Sequence, residues 1–175
     1  MDTRKLYDEM HWFAFYVKAR HEKKVCERLT QLNIETYLPL VTKISQWSDR
    51  KKKIEEPLIR GFIFCRMFLK DRIPILETPG VVNIFRFAGK WTIIPDYEIE
   101  SIRIALEAKA NLVLEDHFIL GRKVKIIEGQ FKGLVGRIVT LPEGDSLYLE
   151  FEKLQLSFKL KVEVNDLELS DEAIS

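Results

Sequence analysis

Large apolar side chains recur along this chain at two periods, and each change of period marks an element. Residues 12–20 and 58–67 alternate in twos across aromatic and β-branched residues, which is the pattern of strands. In the second stretch Ile59, Gly61, Ile63, Cys65 and Met67 share one face, while Leu58, Arg60, Phe62, Phe64 and Arg66 share the other. In the first, Phe13, Phe15, Val17 and Ala19 form an all-apolar side suited to the domain's own helices. Trp12, Ala14, Tyr16, Lys18 and Arg20 form the opposite side. Both strands therefore carry bulky side chains on two faces, whereas a helix layer on one face covers only one of them. Aromatic residues left over in this way point to a partner protein.

The helical period appears over 21–33, where Val25, Leu29 and Leu32 fall on one stripe. Lys24, Arg28 and Gln31 repeat the spacing on another stripe. With Lys23 they form a basic outer ridge that continues Lys18 and Arg20, and it reads either as a solvated face or as a nucleic-acid contact. Residues 35–41 are strand-like. The polar stretch 42–56, which holds Trp47 and the run Arg50, Lys51, Lys52 and Lys53, predicts a long β-hairpin or a mobile loop with a basic tip. A short helix is expected over 70–78, stopped by Pro79-Gly80, then strands over 81–87 and 91–94 around Ala88-Gly-Lys90. A last helix should start at Pro95-Asp96 with Asp96 as N-cap and Ile99, Ile102 and Leu106 as its apolar stripe. This order predicts an antiparallel sheet with helices on one face and the other face open.

Beyond a linker at 109–117 the pattern shortens. Alternating runs at 123–127, 134–141, 147–151 and 155–162, separated by turn residues such as Glu128-Gly129, predict a small SH3-like β-barrel. The fold class is therefore α+β: a tail at 1–10, a mixed domain at 11–108, the linker, a barrel at 118–169 and a tail at 170–175.

Charge sharpens the division. Residues 1–110 hold 20 Lys+Arg against 15 Asp+Glu, and residues 111–175 hold 8 against 12. A basic front and an acidic back suit different partners. Candidate catalysis is thin. His11, His21 and His117 are isolated, so no zinc site is expected, and Cys26 and Cys65 read as buried free thiols. No glycine-rich loop joins a strand to a helix, and Ser45, Ser48 and Ser157 fit no nucleophile elbow. The expectation is a cytoplasmic, non-enzymatic monomer without cofactor, metal or membrane span.

Two segments carry a resemblance. Gly121-Arg-Lys-Val-Lys-Ile-Ile-Glu-Gly129-Gln-Phe-Lys-Gly133-Leu-Val-Gly136 resembles a KOW motif, a glycine-spaced hairpin, in which Val124, Ile126 and Phe131 are the apolar positions. Gly129 and Gly133 would permit the turn, and Gly136 would relieve crowding where the second strand bends. Residues 12–17, Tyr37-Leu-Pro39, Gly61-Phe-Ile-Phe64, Thr78-Pro-Gly-Val81 and Ile94-Pro-Asp96 resemble the N-terminal domain of the NusG family. Arg20-His-Glu-Lys-Lys-Val25 and residues 46–53 look most similar to the UpxY-type specialised paralogues, antiterminators of capsular polysaccharide operons.

The resemblance implies a mixed domain that binds the clamp helices of the largest RNA polymerase subunit through a hydrophobic groove. By motif position the groove includes Tyr16, Phe62 and Phe64, with Trp12 beside them and Arg60 and Arg66 as a polar rim. It implies suppression of pausing or termination, with Lys18, Arg20, Lys23, Lys24, Arg28 and residues 50–53 toward upstream or non-template DNA. The acidic barrel would take a ribosomal protein or termination factor. Two alternatives stand beside this reading: a ribosome-associated RNA-binding KOW protein, and a C-terminal part that switches to a helical hairpin over the groove. The chain departs from the family where Arg60-Gly61-Phe62 replaces the common Pro-Gly-Tyr.

Overall fold

The computed structural model describes residues 7–46, 51–115, 121–141, 144–160 and 169–170. The chain divides into two compact units, Met1–Ile94 and Pro95–Ser175. Trp47, Arg50 and His117 lie outside the described residues.

The first unit is built on a four-stranded antiparallel sheet, in the order β2 (Glu35–Tyr37), β5 (Phe62–Met67), β1 (His11–Val17) and β6 (Val81–Ile84). The two strands with two bulky faces are direct neighbours, paired Phe13 with Cys65, Phe15 with Ile63 and Tyr16 with Phe62. Phe13, Phe15, Val17, Ile63, Cys65 and Met67 all point into the core, as alternation demands. Helix α1 (Glu22–Gln31) closes that core with Val25 and Leu29. The expected third stripe residue, Leu32, is 53% exposed, because the helix ends at Gln31 and Asn33 turns into the left-handed region at φ 59°. Ile34 packs against the core in its place.

The polar stretch forms a hairpin, β3 (Leu40–Gln46) with β4 (Lys51–Pro57). A 3₁₀ turn (Leu69–Arg72) leads into α2 (Ile73–Glu77), which stops before Pro79-Gly80 as expected. A two-residue hairpin, β7 (Arg86–Phe87) with β8 (Lys90–Trp91), turns at Ala88 and Gly89.

The second unit opens with α3 (Asp96–Glu107), which packs on β11 and β12 of a six-stranded antiparallel sheet. The strand order is β14 (Leu169–Ser170), β10 (Arg122–Ile126), β11 (Val135–Leu141), β12 (Gly144–Phe151), β13 (Leu156–Leu160) and β9 (Leu112–Glu115). This is the small β domain anticipated after the mixed domain. Three details differ from expectation. The expected linker contains β9, whose residues pair along β13. The last helix falls with the second unit, where its Ser101 hydroxyl accepts the Val135 N–H at 2.8 Å. Pro95 rather than Asp96 occupies the N-cap, and no side chain caps the helix. Among the described residues no helix is long and apolar enough to cross a membrane.

The new boundary strengthens the charge division. Residues 1–94 carry 18 Lys+Arg against 11 Asp+Glu, and residues 95–175 carry 10 against 16.

Candidate functional site

The second face of the four-stranded sheet is open at one end and covered at the other. Trp12 (4% exposed), Ala14 (1%) and Phe64 (0%) are buried. Tyr37 from β2 brings its ring to 6.5 Å from Trp12 and 6.4 Å from Phe64. Ile94 folds back along β1, donating its N–H to the Trp12 carbonyl at 2.8 Å. Trp12 and Phe64 are therefore buried rather than accessible, with the Tyr37 ring packed against both.

What remains accessible is a cluster of three rings. Tyr16, 39% exposed, lies 4.7 Å from Phe62 and 5.9 Å from Phe85, and Phe62 and Phe85 are 6.2 Å apart. Such tilted contacts add about 0.5–1.5 kcal/mol per pair beyond burial and hold the rings as a preformed apolar surface. Phe85 is absent from the sequence-based site. Its signal was available in the register: Asn83 pairs with Tyr16, so a residue two positions on shares the Tyr16 face. Phe85 is fixed there by its N–H, which donates to the Ala14 carbonyl at 2.8 Å.

The turn that delivers Phe62 depends on a residue the sequence reading passed over. Glu22, in the first turn of α1, is 5% exposed, and its Oε1 accepts the Gly61 N–H at 2.9 Å. The Gly61 carbonyl accepts the Val17 N–H at 2.9 Å, and Gly61 sits at φ 76°, a conformation that favours glycine. No local pattern in the sequence signals this contact, which joins positions 39 apart. The two rim arginines are placed unequally. Arg60, at the Phe62 end, pairs with Glu56 at 3.2 Å; Arg60 and then Lys43 hold that carboxyl below its usual range. Arg66 is half-buried at the far end of β5, opposite Trp12 and Glu35, away from the ring cluster.

Of the basic ridge, Lys18, Arg20, Lys23, Lys24 and Arg28 are all exposed. Lys23 is paired with Glu55 at 3.3 Å, and the Arg28 guanidinium donates to the Pro79 carbonyl. The ridge is thus tied to the Thr78-Pro79-Gly80 turn, whose Gly80 carbonyl accepts the Lys18 N–H at 2.8 Å. Lys52 and Lys53 are exposed on β4, opposite Ser45 and Ile44, while Arg50 and the Lys51 side chain lie outside the described residues.

In the second unit the glycines at 121, 129, 133 and 136 are each conformationally or sterically set apart. Gly129 and Gly133 adopt φ 78° and 91°, and a Cβ on Gly136 would stand 2.6 Å from the Tyr148 carbonyl oxygen. Gly121 is equally constrained, since a Cβ there would stand 2.5 Å from the Ile138 carbonyl oxygen. Val124 and Ile126 are fully buried and Phe131 nearly so. A bifurcated, charge-assisted bond from the Arg137 Nε–H to both Glu150 oxygens, at 2.8 and 2.9 Å, braces β11 against β12, and the Arg137 Nη1 also donates to the Gly121 carbonyl at 3.0 Å. Glu98 of α3 is 2% exposed and accepts the Glu152 N–H at 3.2 Å; burial pushes its carboxyl up to about 8.

Among the described residues no three His, Cys, Asp or Glu side chains are grouped to hold a metal ion. Cys65 is buried, which pushes its thiol up and makes it inert, whereas Cys26 is only half-buried, with Sγ 3.2 Å from the Thr36 hydroxyl.

Comparison with known proteins bears on the whole chain. A protein from Chlamydia pneumoniae named "Transcription termination/antitermination protein NusG" is 27% identical over 139 residues, covering 73% of this chain and 76% of the relative. The protein of the same name from Halalkalibacterium halodurans is 24% identical over 172 residues, covering 90% and 89%. A solved structure titled "Domain interaction in Thermotoga maritima NusG" aligns with 93% of this chain and 98% of its own at 20% identity, with a TM-score of 0.47. The family model described as "Transcription termination factor nusG" matches residues 10–103, a span that runs from β1 through the ring cluster into α3. On the strength of that match the chain belongs to the NusG family of transcription termination and antitermination factors.

Proposed function

We propose that this protein binds RNA polymerase through the Tyr16–Phe62–Phe85 surface and suppresses pausing or termination, acting in the cytoplasm as an operon-specific antiterminator of the capsular polysaccharide type. The observation that carries the reading is the accessible three-ring cluster, with Tyr16 39% exposed in a unit that already has a complete apolar core. Exposed rings held in fixed geometry suit an amphipathic helical partner, here the clamp helices of the largest polymerase subunit. Binding there acts on elongation by differential affinity: a factor that fits the closed clamp better than the open one shifts the population toward elongation. Lys18, Arg20, Lys24 and Lys53 add a contact to upstream or non-template DNA, and the acidic second unit takes a protein partner rather than nucleic acid.

The test is capture of the protein by an isolated clamp-helix fragment. Tyr16→Ala combined with Phe62→Ala should weaken capture at least tenfold while circular dichroism stays unchanged. Capture at the original strength by the folded double variant rejects the groove. Transcription profiling of a deletion strain tests the operon assignment, which predicts premature termination confined to a few long operons.

A further inference from the structure

Between α1, β2 and the β3–β4 hairpin the first unit holds a cavity of about 600 Å³, a size that suits a small organic molecule. Its lining is distinct from the three-ring surface of Tyr16, Phe62 and Phe85. The apolar part comes from Leu38 and Leu40, which the step from β2 into β3 leaves half-buried.

The polar part is a chain of three side chains in which the direction of every bond is fixed. The Thr30 hydroxyl gives its single proton to the Cys26 carbonyl at 2.9 Å. Its contact with the Thr36 hydroxyl, at 3.3 Å, therefore runs from Thr36 to Thr30. The Thr36 proton is then spent, so the 3.2 Å contact between Cys26 Sγ and Thr36 runs from thiol to hydroxyl. All three protons are committed within the chain, and only lone pairs remain to face the cavity. This strip accepts hydrogen bonds and donates none. At the mouth, the Lys23 ammonium reaches from α1 to Glu55 on β4 at 3.3 Å, so its charge is already answered. Glu27, one turn further along α1, is exposed and in no ion pair among the described residues. The mouth is thus acidic by one charge, in a unit that carries a surplus of seven positive charges.

We propose that this cavity binds a small aliphatic amine, and a linear diamine best. An ammonium is all donor, with three N–H groups and no acceptor, which matches an acceptor-only strip. One ammonium donates to the Thr30 and Thr36 hydroxyls, the methylene chain lies along Leu38 and Leu40, and the second ammonium meets the Glu27 carboxylate in a charge-assisted bond. An anion finds no free donor in the strip and a carboxylate at the mouth. A neutral hydrocarbon leaves the acceptors unanswered. A bound diamine joins α1 to β2 and the hairpin, and α1 is the helix whose Glu22 holds the turn before Phe62.

The test is calorimetric titration of the full-length protein with 1,6-diaminohexane, hexylamine and hexane-1,6-diol, with methyl NMR of leucine-labelled protein to locate the contact. The diamine should bind saturably and one to one, moving the Leu38 and Leu40 methyl signals. The diol, of the same length and without charge, should bind at least tenfold more weakly. Glu27→Gln should weaken the diamine at least fivefold and hexylamine less than twofold, because only the second ammonium uses that carboxylate. Thr36→Val should weaken both amines at least threefold, and Leu40→Trp, which fills the cavity, should abolish binding. Glu27 is exposed, so its variant tests the site even where a substitution inside the cavity disturbs folding. Absence of saturation by about 10 mM diamine overturns the proposal. So does a diol that binds as well as the diamine, a set of moved methyl signals that excludes Leu38 and Leu40, or undiminished diamine binding by the folded Glu27→Gln variant.

Discussion

The buried carboxyl of Glu98 makes the stability of the second unit depend on pH in a direction opposite to that of a salt-bridged acid. Glu98 is 2% exposed on the face of α3 that meets the β sheet, and its Oε1 accepts the Glu152 N–H at 3.2 Å. Burial raises its carboxyl from 4.5 to about 8; Glu150 and Glu152 push in the same direction, while the Glu152 N–H and Lys123 oppose it. The native state therefore holds a proton that the unfolded chain releases above about pH 4.5. The sign follows from linkage: between about 4.5 and 8 the native state binds more protons, so stability is fullest below that window and falls as pH rises through it. A span of about 3.5 pH units at about 1.4 kcal/mol each sets a ceiling of about 5 kcal/mol, and partial solvent access on loosening brings the expected loss to about 2–4 kcal/mol. Glu98→Gln keeps an oxygen for the Glu152 N–H and cannot ionise. Urea unfolding between pH 5 and 9, with hydrogen exchange at the Glu152 and Val135 amides, should show a falling curve for the parent and a flat one for Glu98→Gln, with the variant ahead above pH 8. Stability that rises across the window, or an equal slope in the variant, would refute the reasoning.

Further expectations follow from particular contacts. Gly136→Ala places a methyl 2.6 Å from the Tyr148 carbonyl, where backbone must move, and should cost about 1–3 kcal/mol in denaturant unfolding of the second unit. Arg137→Ala leaves Glu150, 6% exposed, without its charged partner, and a loss of about 3–5 kcal/mol should appear as a lowered Tm that Glu150→Gln partly restores. Glu22→Gln replaces a charged acceptor of the Gly61 N–H by a neutral one; about 1 kcal/mol should be lost, and clamp-helix capture should weaken as the turn before Phe62 loosens.

Much of the fold was legible because alternation and turn residues act locally. The register of Phe13, Phe15, Ile63 and Cys65 follows from a period of two, and the Gly129–Gly133 turn from the conformational freedom that only glycine supplies at that spacing. The site was legible in part. Tyr16 and Phe62 could be paired from their faces, but Phe64 could not be assigned to the covered end, since that depends on where Tyr37 and Ile94 return in space. Leu32 was misplaced by a helix that stops two residues early, a matter of ±1–2 residues that periodicity does not resolve. The role of Glu22 required a partner 39 positions away, beyond the reach of any local pattern.

One helix serves two surfaces. Glu22 at its start grips Gly61 ahead of Phe62, Arg28 near its end grips Pro79 ahead of β6, and Val25 between them leaves no room for a Cβ on Gly80, which would stand 2.7 Å from it. Variants at positions 22, 28 and 80 should therefore combine non-additively in double-mutant cycles, even though positions 61 and 79 lie on different turns. Selection acting on the basic outer side of α1 cannot be independent of selection on the aromatic surface, and these positions should drift together rather than one at a time.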